Sequence, residues 1–189
     1  MKKLTIVGAL CVAVILPVHG AAASSAVEPT PPDPSIATYG NETLDLTESW
    51  GTANACLATE TETRCFTSER EMAKYVATLG SSTSATKGTA SQSIGAVTLA
   101  ADCSSSVKLY SNTSYGGYLL QVFERLTVID LAAYGFSNIT SSYKIGACAA
   151  YFWDGVGGGS VYPGNTNAGI WSSTMVAGWD NRVSSLVLG

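Results

Sequence analysis

The chain has 189 residues, with 10 Lys and Arg against 14 Asp and Glu, and a formal net charge of −4 at pH 7. Its basic residues form no patch along the sequence, so the composition disfavours nucleic acid as a partner. Charged residues make up only 13% of the chain, whereas Gly, Ser, Thr and Asn are abundant. This composition favours many short strands joined by turns.

The N-terminus has the pattern of a secretory signal peptide. Met1, Lys2 and Lys3 give a positive start, residues 4–18 are apolar, and small residues at 21–23 suit cleavage. The apolar run is short for a membrane span, and no second run of membrane length follows it. We therefore expect that residues 1–23 are removed and that the mature protein is secreted, bacterial in type and free of the membrane.

The predicted mature chain has no histidine, because His19 is the only one and lies in the signal segment. Serine and cysteine nucleophiles usually need a histidine base, and most catalytic zinc sites use histidine ligands. The sequence therefore predicts a protein that is not an enzyme.

Four cysteines remain once Cys11 is removed with the signal segment. An even number of cysteines in an exported chain indicates disulfides, and four allow three connectivities. Sequence proximity favours Cys56 with Cys65, which leaves Cys103 to pair with Cys148.

Three segments precede the C-terminal half. Residues 24–50 contain a proline-rich stretch and few apolar clusters, which predicts a mostly disordered leader. Residues 51–80 are expected to form a small element, a hairpin closed by Cys56–Cys65 and then a short helix. Residues 81–102 are rich in Ser and Thr and are expected to be a linker.

The helix is predicted from its cap and its apolar spacing. Ser68 and Glu71 fit a capping box, and Gly80 is a plausible C-terminal stop. Four apolar residues between them fall on one helical face: Met72, Tyr75, Val76 and Leu79.

Residues 103–189 contain an internal repeat. Residues 109–117 and 151–159 each have an aromatic residue at the second position and a Gly-Gly pair six residues after it, at an interval of 42 residues. Residues 134–142 and 177–185 each have an aromatic, a polar pair, two spacers and Ser-Ser, at an interval of 43 residues. Two units of short strands, each with sheet faces to bury, are expected to pack as one sandwich.

This repeat resembles the βγ-crystallin family, whose Greek keys each begin with an aromatic-rich hairpin folded at a glycine. Tyr110, Tyr115 and Gly117 match that pattern, and Tyr151 or Phe152 with Gly159 matches it less fully. The resemblance implies an all-β, double Greek-key sandwich over residues 103–189, preceded by the disulfide-closed hairpin and short helix.

The resemblance also implies calcium binding. Calcium-binding members carry a signature of two Asn or Asp residues, two spacers, then Ser or Thr and Ser. Residues 180–185 match it fully, and residues 137–142 depart from it at Ser137. Calcium takes six to eight oxygen ligands, so two sites that share oxygens from both keys are expected. The implied side-chain ligands are Asp180, Asn181, Ser184, Ser137, Asn138 and Ser141, and the implied carbonyl ligands lie near Thr113 and Gly155.

Other interpretations remain open at this stage. The serine pairs could serve the fold alone, and Trp153, Trp171 and Trp179 could form either a carbohydrate-stacking surface or part of the core. Exported bacterial members of the superfamily include protease inhibitors and antimicrobial proteins, so an extracellular protease or a polysaccharide is the alternative partner. Residues 162–169 would be the binding loop in that case. We expect a monomer.

Overall fold

The computed structural model describes residues 32–82, 106–124 and 126–189. The predicted signal peptide, most of the predicted linker, and Cys103 lie outside these residues. Twelve strands and one α-helix are present in the described part of the chain. The strands that precede the helix α1 (Glu69–Ser82) are β1 (Ile36–Tyr39), β2 (Glu42–Asp45), β3 (Ala55–Ala58) and β4 (Thr63–Phe66). The strands that follow it are β5 (Val107–Asn112), β6 (Gly116–Val122), β7 (Ile129–Asp130), β8 (Ser142–Ile145), β9 (Ala150–Gly155), β10 (Gly158–Val161), β11 (Trp171–Ser172) and β12 (Ser185–Leu188).

The C-terminal strands form two Greek keys, as predicted. The larger sheet has the order β11-β8-β5-β6-β3-β4-β1-β2, and the smaller sheet has the order β10-β9-β12-β7. In each key the fourth strand lies beside the first and the first beside the second, which is the Greek-key order. The third strand of each key joins the sheet of the other key: β7 pairs with β12, and β11 pairs with β8. This exchange joins the two keys into one sandwich.

The main core lies between the two sheets. Its largest fully buried members come from both keys and include Leu109, Leu120, Tyr143, Phe152 and Leu186. A second, smaller core lies under the helix, where Met72 packs with Leu57, Tyr110 and Leu119. The helix therefore covers one outer face of the larger sheet.

The helix begins as the sequence predicts and ends later. The Ser68 hydroxyl accepts a hydrogen bond from the Glu71 N–H at 3.3 Å, and the Glu71 carboxylate accepts one from the Thr67 N–H at 3.2 Å. Met72 is buried, whereas Leu79 is 38% exposed and lies outside the apolar face. The predicted stop at Gly80 is wrong, because the helix continues to Ser82.

The prediction of a mostly disordered leader at residues 24–50 is wrong for its second half. β1 pairs with β2 and also runs parallel to β4. Ala37, Leu46 and Trp50 are buried in the main core, and the Trp50 indole donates a hydrogen bond to the Tyr134 carbonyl at 2.8 Å. These few apolar residues are ordered because they pack against the main core of the C-terminal sheets. The local composition of residues 24–50 does not reveal these contacts.

The predicted boundary between residues 51–80 and the C-terminal domain also needs correction. β3 pairs in parallel with β6, from Ala55 opposite Leu119 to Ala58 opposite Val122. The hairpin therefore extends the first key's sheet instead of forming a separate element. The described residues from 32 to 189 belong to a single compact unit.

The predicted disulfide within this hairpin is confirmed. Cys56 and Cys65 lie opposite each other on β3 and β4, with their Cα atoms 4.0 Å apart, and they form a disulfide. Cys148 is disulfide-bonded as well; its predicted partner Cys103 lies outside the described residues. Among those residues, no helix is long and apolar enough to cross a membrane.

Candidate metal centre

The two signature segments meet each other across the keys. Asn138 and Asn181 both adopt left-handed backbone conformations, with φ of 59° and 57°, a region that Asn tolerates better than most residues. The Asn138 N–H donates to the Val183 carbonyl at 2.8 Å, and the Asn181 N–H donates to the Thr140 carbonyl at 3.1 Å. Each loop is therefore held in place by the signature of the other key.

The side chains repeat this reciprocal arrangement. The Ser184 hydroxyl donates to Asn138 Oδ1 at 2.9 Å, and the Ser141 hydroxyl donates to Asn181 Oδ1 at 3.3 Å. The predicted ligands thus separate into two groups, each with residues from both keys. The first group contains Ser137, Asn138 and Ser184; the second contains Asp180, Asn181 and Ser141.

The second serine of each signature holds its own hairpin. The buried Ser142 hydroxyl donates to the Asn112 carbonyl at 2.7 Å, and the buried Ser185 hydroxyl donates to the Gly155 carbonyl at 2.6 Å. The Thr113 carbonyl lies next to Asn112 and accepts a hydrogen bond from Gly116. The two predicted carbonyl ligands are therefore in hairpins that are anchored beside the signature loops.

These anchors also correct the alignment of the repeat. The Asn112 and Gly155 carbonyls each accept a hydrogen bond from the second serine of their own signature, so these two residues are equivalent. The interval at the start of the hairpins is therefore 43 residues, in place of the predicted 42. The folding glycines Gly117 and Gly159 have φ of 76° and 102° and are 42 residues apart. The first hairpin is therefore one residue longer than the second.

A side chain at either folding glycine would collide with the hairpin. A Cβ atom at Gly117 would lie 2.2 Å from the Ser111 hydroxyl, and one at Gly159 would lie 2.5 Å from Asp154 Oδ1. These two polar side chains each accept a hydrogen bond from the opposite strand, at Tyr118 N–H and Ser160 N–H respectively. Glycine is required here for its left-handed backbone and for space.

The two carboxylates of the second key have different environments. Asp154 accepts hydrogen bonds from Ser160 N–H at 2.6 Å and from the Arg182 guanidinium at 2.5 Å, and the bond from Ser160 is the main reason that its pKa is lowered. Asp180 is exposed, and its contact is with the Asn181 amide at 3.4 Å. Asp180 is therefore the carboxylate available to the second group of ligands, whereas Asp154 serves the hairpin.

The donor set fits a hard cation. Both groups offer only oxygen, from amides, hydroxyls and carbonyls, with one carboxylate in the second group. Two oxygens at about 2.4 Å from one ion and 2.9 or 3.3 Å apart would subtend about 75° or 87° there, which suits six to eight ligands. Within the described ranges, no group of three His, Cys, Asp or Glu residues could hold a metal.

The alternative surfaces from the sequence do not assemble as predicted. Trp179 is 7% exposed and packs on Tyr162 at 5.3 Å between ring centroids, whereas Trp153 and Trp171 lie on different sheets. No continuous surface of three tryptophans therefore forms. The predicted binding loop at 162–169 is anchored to the domain, because the Tyr143 hydroxyl donates to the Asn165 carbonyl at 2.9 Å.

One residue pair in the second key was missed by sequence reasoning. Arg182, a spacer of the signature, bridges Asp154 and the Gly178 carbonyl and lies over the Trp179 ring at 4.8 Å. The sequence signal was that Arg182 is the only basic residue among residues 150–189, which also contain two acidic residues, Asp154 and Asp180.

No family model and no curated protein matches this chain. Solved structures do resemble it. A βγ-crystallin from Ciona intestinalis is 23% identical, with a TM-score of 0.39, and the match covers 44% of this chain and 99% of that one. A βγ-crystallin domain from Flavobacterium johnsoniae is 21% identical, with a TM-score of 0.35 and coverage of 44% and 92%. One from Clostridium beijerinckii is 13% identical, with a TM-score of 0.37 and coverage of 44% and 95%.

The strand order of this chain shows by itself that residues 106–189 form a double Greek-key domain, and that domain is similar to the βγ-crystallins.

Proposed function

We propose that this chain is a secreted calcium-binding module of the βγ-crystallin type, with a structural or binding role and no enzymatic activity. The reciprocal Asn–Ser pairing of the two signature loops is the observation that carries the proposal. Export is supported by the N-terminal sequence pattern and by the disulfide between Cys56 and Cys65. An N-terminus near residue 24 in the exported protein would test the export part.

The two groups of ligands should differ in affinity. The group with Asn181 and Ser141 includes the carboxylate of Asp180, whereas the group with Asn138 and Ser184 has Ser137 at that position. Affinity for calcium rises with ligand charge and with the rigidity of the site. We therefore expect the second group to bind more tightly, with dissociation constants on the order of 10⁻⁵ to 10⁻³ M for the domain, a range that includes the values of extracellular modules.

Calcium would join loops that come from different keys. Each group contains an asparagine from one key and a serine from the other, so an ion held there links both halves of the sandwich. Binding to the native state alone, at 100 times the dissociation constant, would add about 2.7 kcal/mol of stability. For a domain of this size that is an increase of about 5–11 °C in melting temperature.

A calcium titration followed by tryptophan fluorescence and by thermal unfolding tests this proposal. Asp180→Asn should remove most of the increase in melting temperature, because it removes the charged ligand and keeps the side-chain volume. Ser137→Asp should enlarge the increase, because it adds a carboxylate to the weaker group. Glu42→Gln, on the exposed edge strand β2, is the matched control for loss of one negative charge.

Two results would contradict the proposal. One is a melting temperature of the wild type that does not move in millimolar calcium. The other is an equal loss of response in Asp180→Asn and Glu42→Gln, which would mean that calcium acts only through the net charge of the protein.

A further inference from the structure

A shallow groove lies beside β11, one of the two edge strands of the larger sheet. Its volume is about 240 Å³, less than that of a drug-sized pocket. The groove is lined by Ser106, Lys108, Lys144, Ile145, Gly146 and Trp171. None of these six residues belongs to either group of proposed calcium ligands.

Lys144 is held in this groove by aromatic rings. Its ammonium nitrogen lies 4.4 Å from the ring centroid of Tyr115, 5.1 Å from that of Trp171 and 5.3 Å from that of Tyr110. No carboxylate in the described part of the chain lies within 4.0 Å of it. Ring faces attract the charge but accept its hydrogen bonds poorly. The ammonium is thus fixed in position with N–H donors still available for an anion.

Trp171 supplies an open aromatic surface next to this cation. Its side chain is 65% exposed, and it lies opposite Lys144 across the β11–β8 pair. Lys144 and Trp171 both line the groove, so a ligand there can contact the ammonium and the exposed part of the indole together. Trp is enriched at interfaces, because its side chain combines a large apolar face with a polar N–H group.

The internal repeat shows that the fold itself does not require this arrangement. At the interval of 43 residues, Lys144 is equivalent to Val187 and Lys108 is equivalent to Tyr151. The same backbone positions are therefore cationic in the first key and apolar in the second. The charges are a property of this groove and not of the Greek key.

One carboxylate limits the charge of the groove. Lys108 forms an ion pair with Glu69 of the helix at 2.7 Å, and Lys144 also helps to lower the Glu69 pKa against the opposing effect of burial. Two lysines and one glutamate leave a net charge of +1, in a protein whose overall formal charge is −4. An anionic membrane needs a larger cluster of cations, so a ligand with one anionic group per unit fits better.

We propose that this groove binds an acidic polysaccharide of the uronate class. The uronate carboxylate accepts hydrogen bonds from Lys144, and the apolar face of the sugar ring packs against the exposed part of the Trp171 indole in the same groove. The small volume and open shape suit one sugar unit of a chain that continues over the surface in both directions.

Isothermal titration with hexagalacturonate tests this proposal, with the carboxyl-reduced neutral oligomer as its counterpart. The buffer is freed of calcium on a chelating resin, since uronates bind calcium themselves and the two proposals must be tested apart. We expect heat with the acidic oligomer, about tenfold or more weaker binding in Lys144→Met and in Trp171→Ala, and weaker binding at high salt. Lys74→Met, an exposed lysine on the helix, is the matched control and should bind as the wild type does.

Three outcomes would overturn the proposal. The first is no binding of the acidic oligomer to the folded wild type at millimolar concentration. The second is equal binding of the neutral oligomer, which would exclude Lys144 as the recognition group. The third is binding that Trp171→Ala leaves unchanged or that Lys74→Met weakens equally, which would indicate nonspecific attraction of a polyanion.

Discussion

Thr140 carries a buried hydroxyl whose removal should stabilise the protein. The residue is fully buried between the keys, and its Oγ1 has no hydrogen-bond partner among the described protein groups. At the interval of 43 residues its equivalent is Val183, which is also fully buried. The second key therefore has a methyl group at the buried position where the first key has a hydroxyl. Thr140→Val is nearly isosteric and should remove the penalty of an unsatisfied polar group.

The expected gain follows from the cost of burying such a group. A buried hydroxyl without a partner costs about 1–3 kcal/mol in protein mutational data. Allowing for relaxation around Thr140, we expect about 1–2 kcal/mol of added stability, or about 2–8 °C in melting temperature. Urea unfolding measures the free energy directly, and calorimetry measures the temperature.

The reverse substitution gives a control in the same pair of loops. Val183→Thr should destabilise the protein by a similar amount, because it introduces a second hydroxyl into an apolar contact. Calcium response should be unchanged in both variants, since neither side chain is a proposed ligand. A loss of stability in Thr140→Val would refute the reasoning and would mean that the hydroxyl is hydrogen-bonded in solution.

Two further predictions concern the N-terminal strands and the helix. Lys108 lowers the Glu69 pKa, so the stabilisation of the fold by ionised Glu69 is complete at neutral pH and is lost as the pH falls below about 4.5, the ordinary Glu value. Glu69→Gln should therefore flatten the pH dependence of the free energy of unfolding in that range, measured by urea unfolding between pH 7 and 3. Gly135→Ala should cost about 1–3 kcal/mol more than Gly40→Ala, measured in the same way. Both glycines have φ near 60°, but a Cβ at Gly135 would lie 2.1 Å from the Leu46 carbonyl, whereas one at Gly40 meets nothing within 4 Å; equal losses would contradict this close approach.

The Greek keys could be predicted because their determinants are local. Each hairpin and each signature lies within about ten residues, and their repetition places two copies in one domain. Cys56 and Cys65 are nine residues apart, and the capping residues of the helix are three apart. Short sequence separations of this kind leave few alternatives.

The N-terminal strands could not be predicted because their contacts are distant in sequence. Trp50 donates to Tyr134, which is 84 residues away, and Ala55 pairs with Leu119. Such contacts leave no periodic pattern, and the apolar residues involved look sparse when the segment is considered alone.

The alignment error in the first hairpin has a local cause. The extra residue is accommodated by Ser114 and Tyr115, which take left-handed φ angles of 56° and 62° without being glycine. The second hairpin uses Gly157 at φ 65° for its turn. The sequence therefore showed two similar Gly-Gly pairs, while the backbone reaches them by turns of different length. The reciprocal Asn–Ser contacts could not be predicted for the same reason as the contacts of the N-terminal strands, because Asn138 and Ser184 are 46 residues apart.

The N-terminal strands β1–β4 extend the sheet of the first key beyond β6. Pro163 gives a physical reason why they do not extend the sheet of the second key in the same way. β5 pairs with β6 so that Tyr110 faces Leu119, and β9 pairs with β10 so that Trp153 faces Val161. Leu119 and Val161 are therefore equivalent, and so are the residues two positions after them, Gln121 and Pro163. On β6, the N–H groups of Leu119 and Phe123 donate outward to Asn54 and Ala58 at 2.9 Å, and Gln121, midway between them, has the same orientation.

On the second key the corresponding edge cannot accept a strand in this way. The Tyr162 N–H points inward to the Phe152 carbonyl at 2.9 Å, so the position after it faces outward, and proline there has no N–H to donate. Proline at an edge is a common protection against unwanted strand pairing. Pro163→Gln should restore the donor and make the protein self-associate as its concentration rises, whereas the wild type should remain monomeric in sedimentation velocity experiments. If Pro163→Gln stays monomeric over the same concentrations, the missing N–H is not what keeps this edge free, and the short, glycine-rich β10 must be sufficient to prevent pairing.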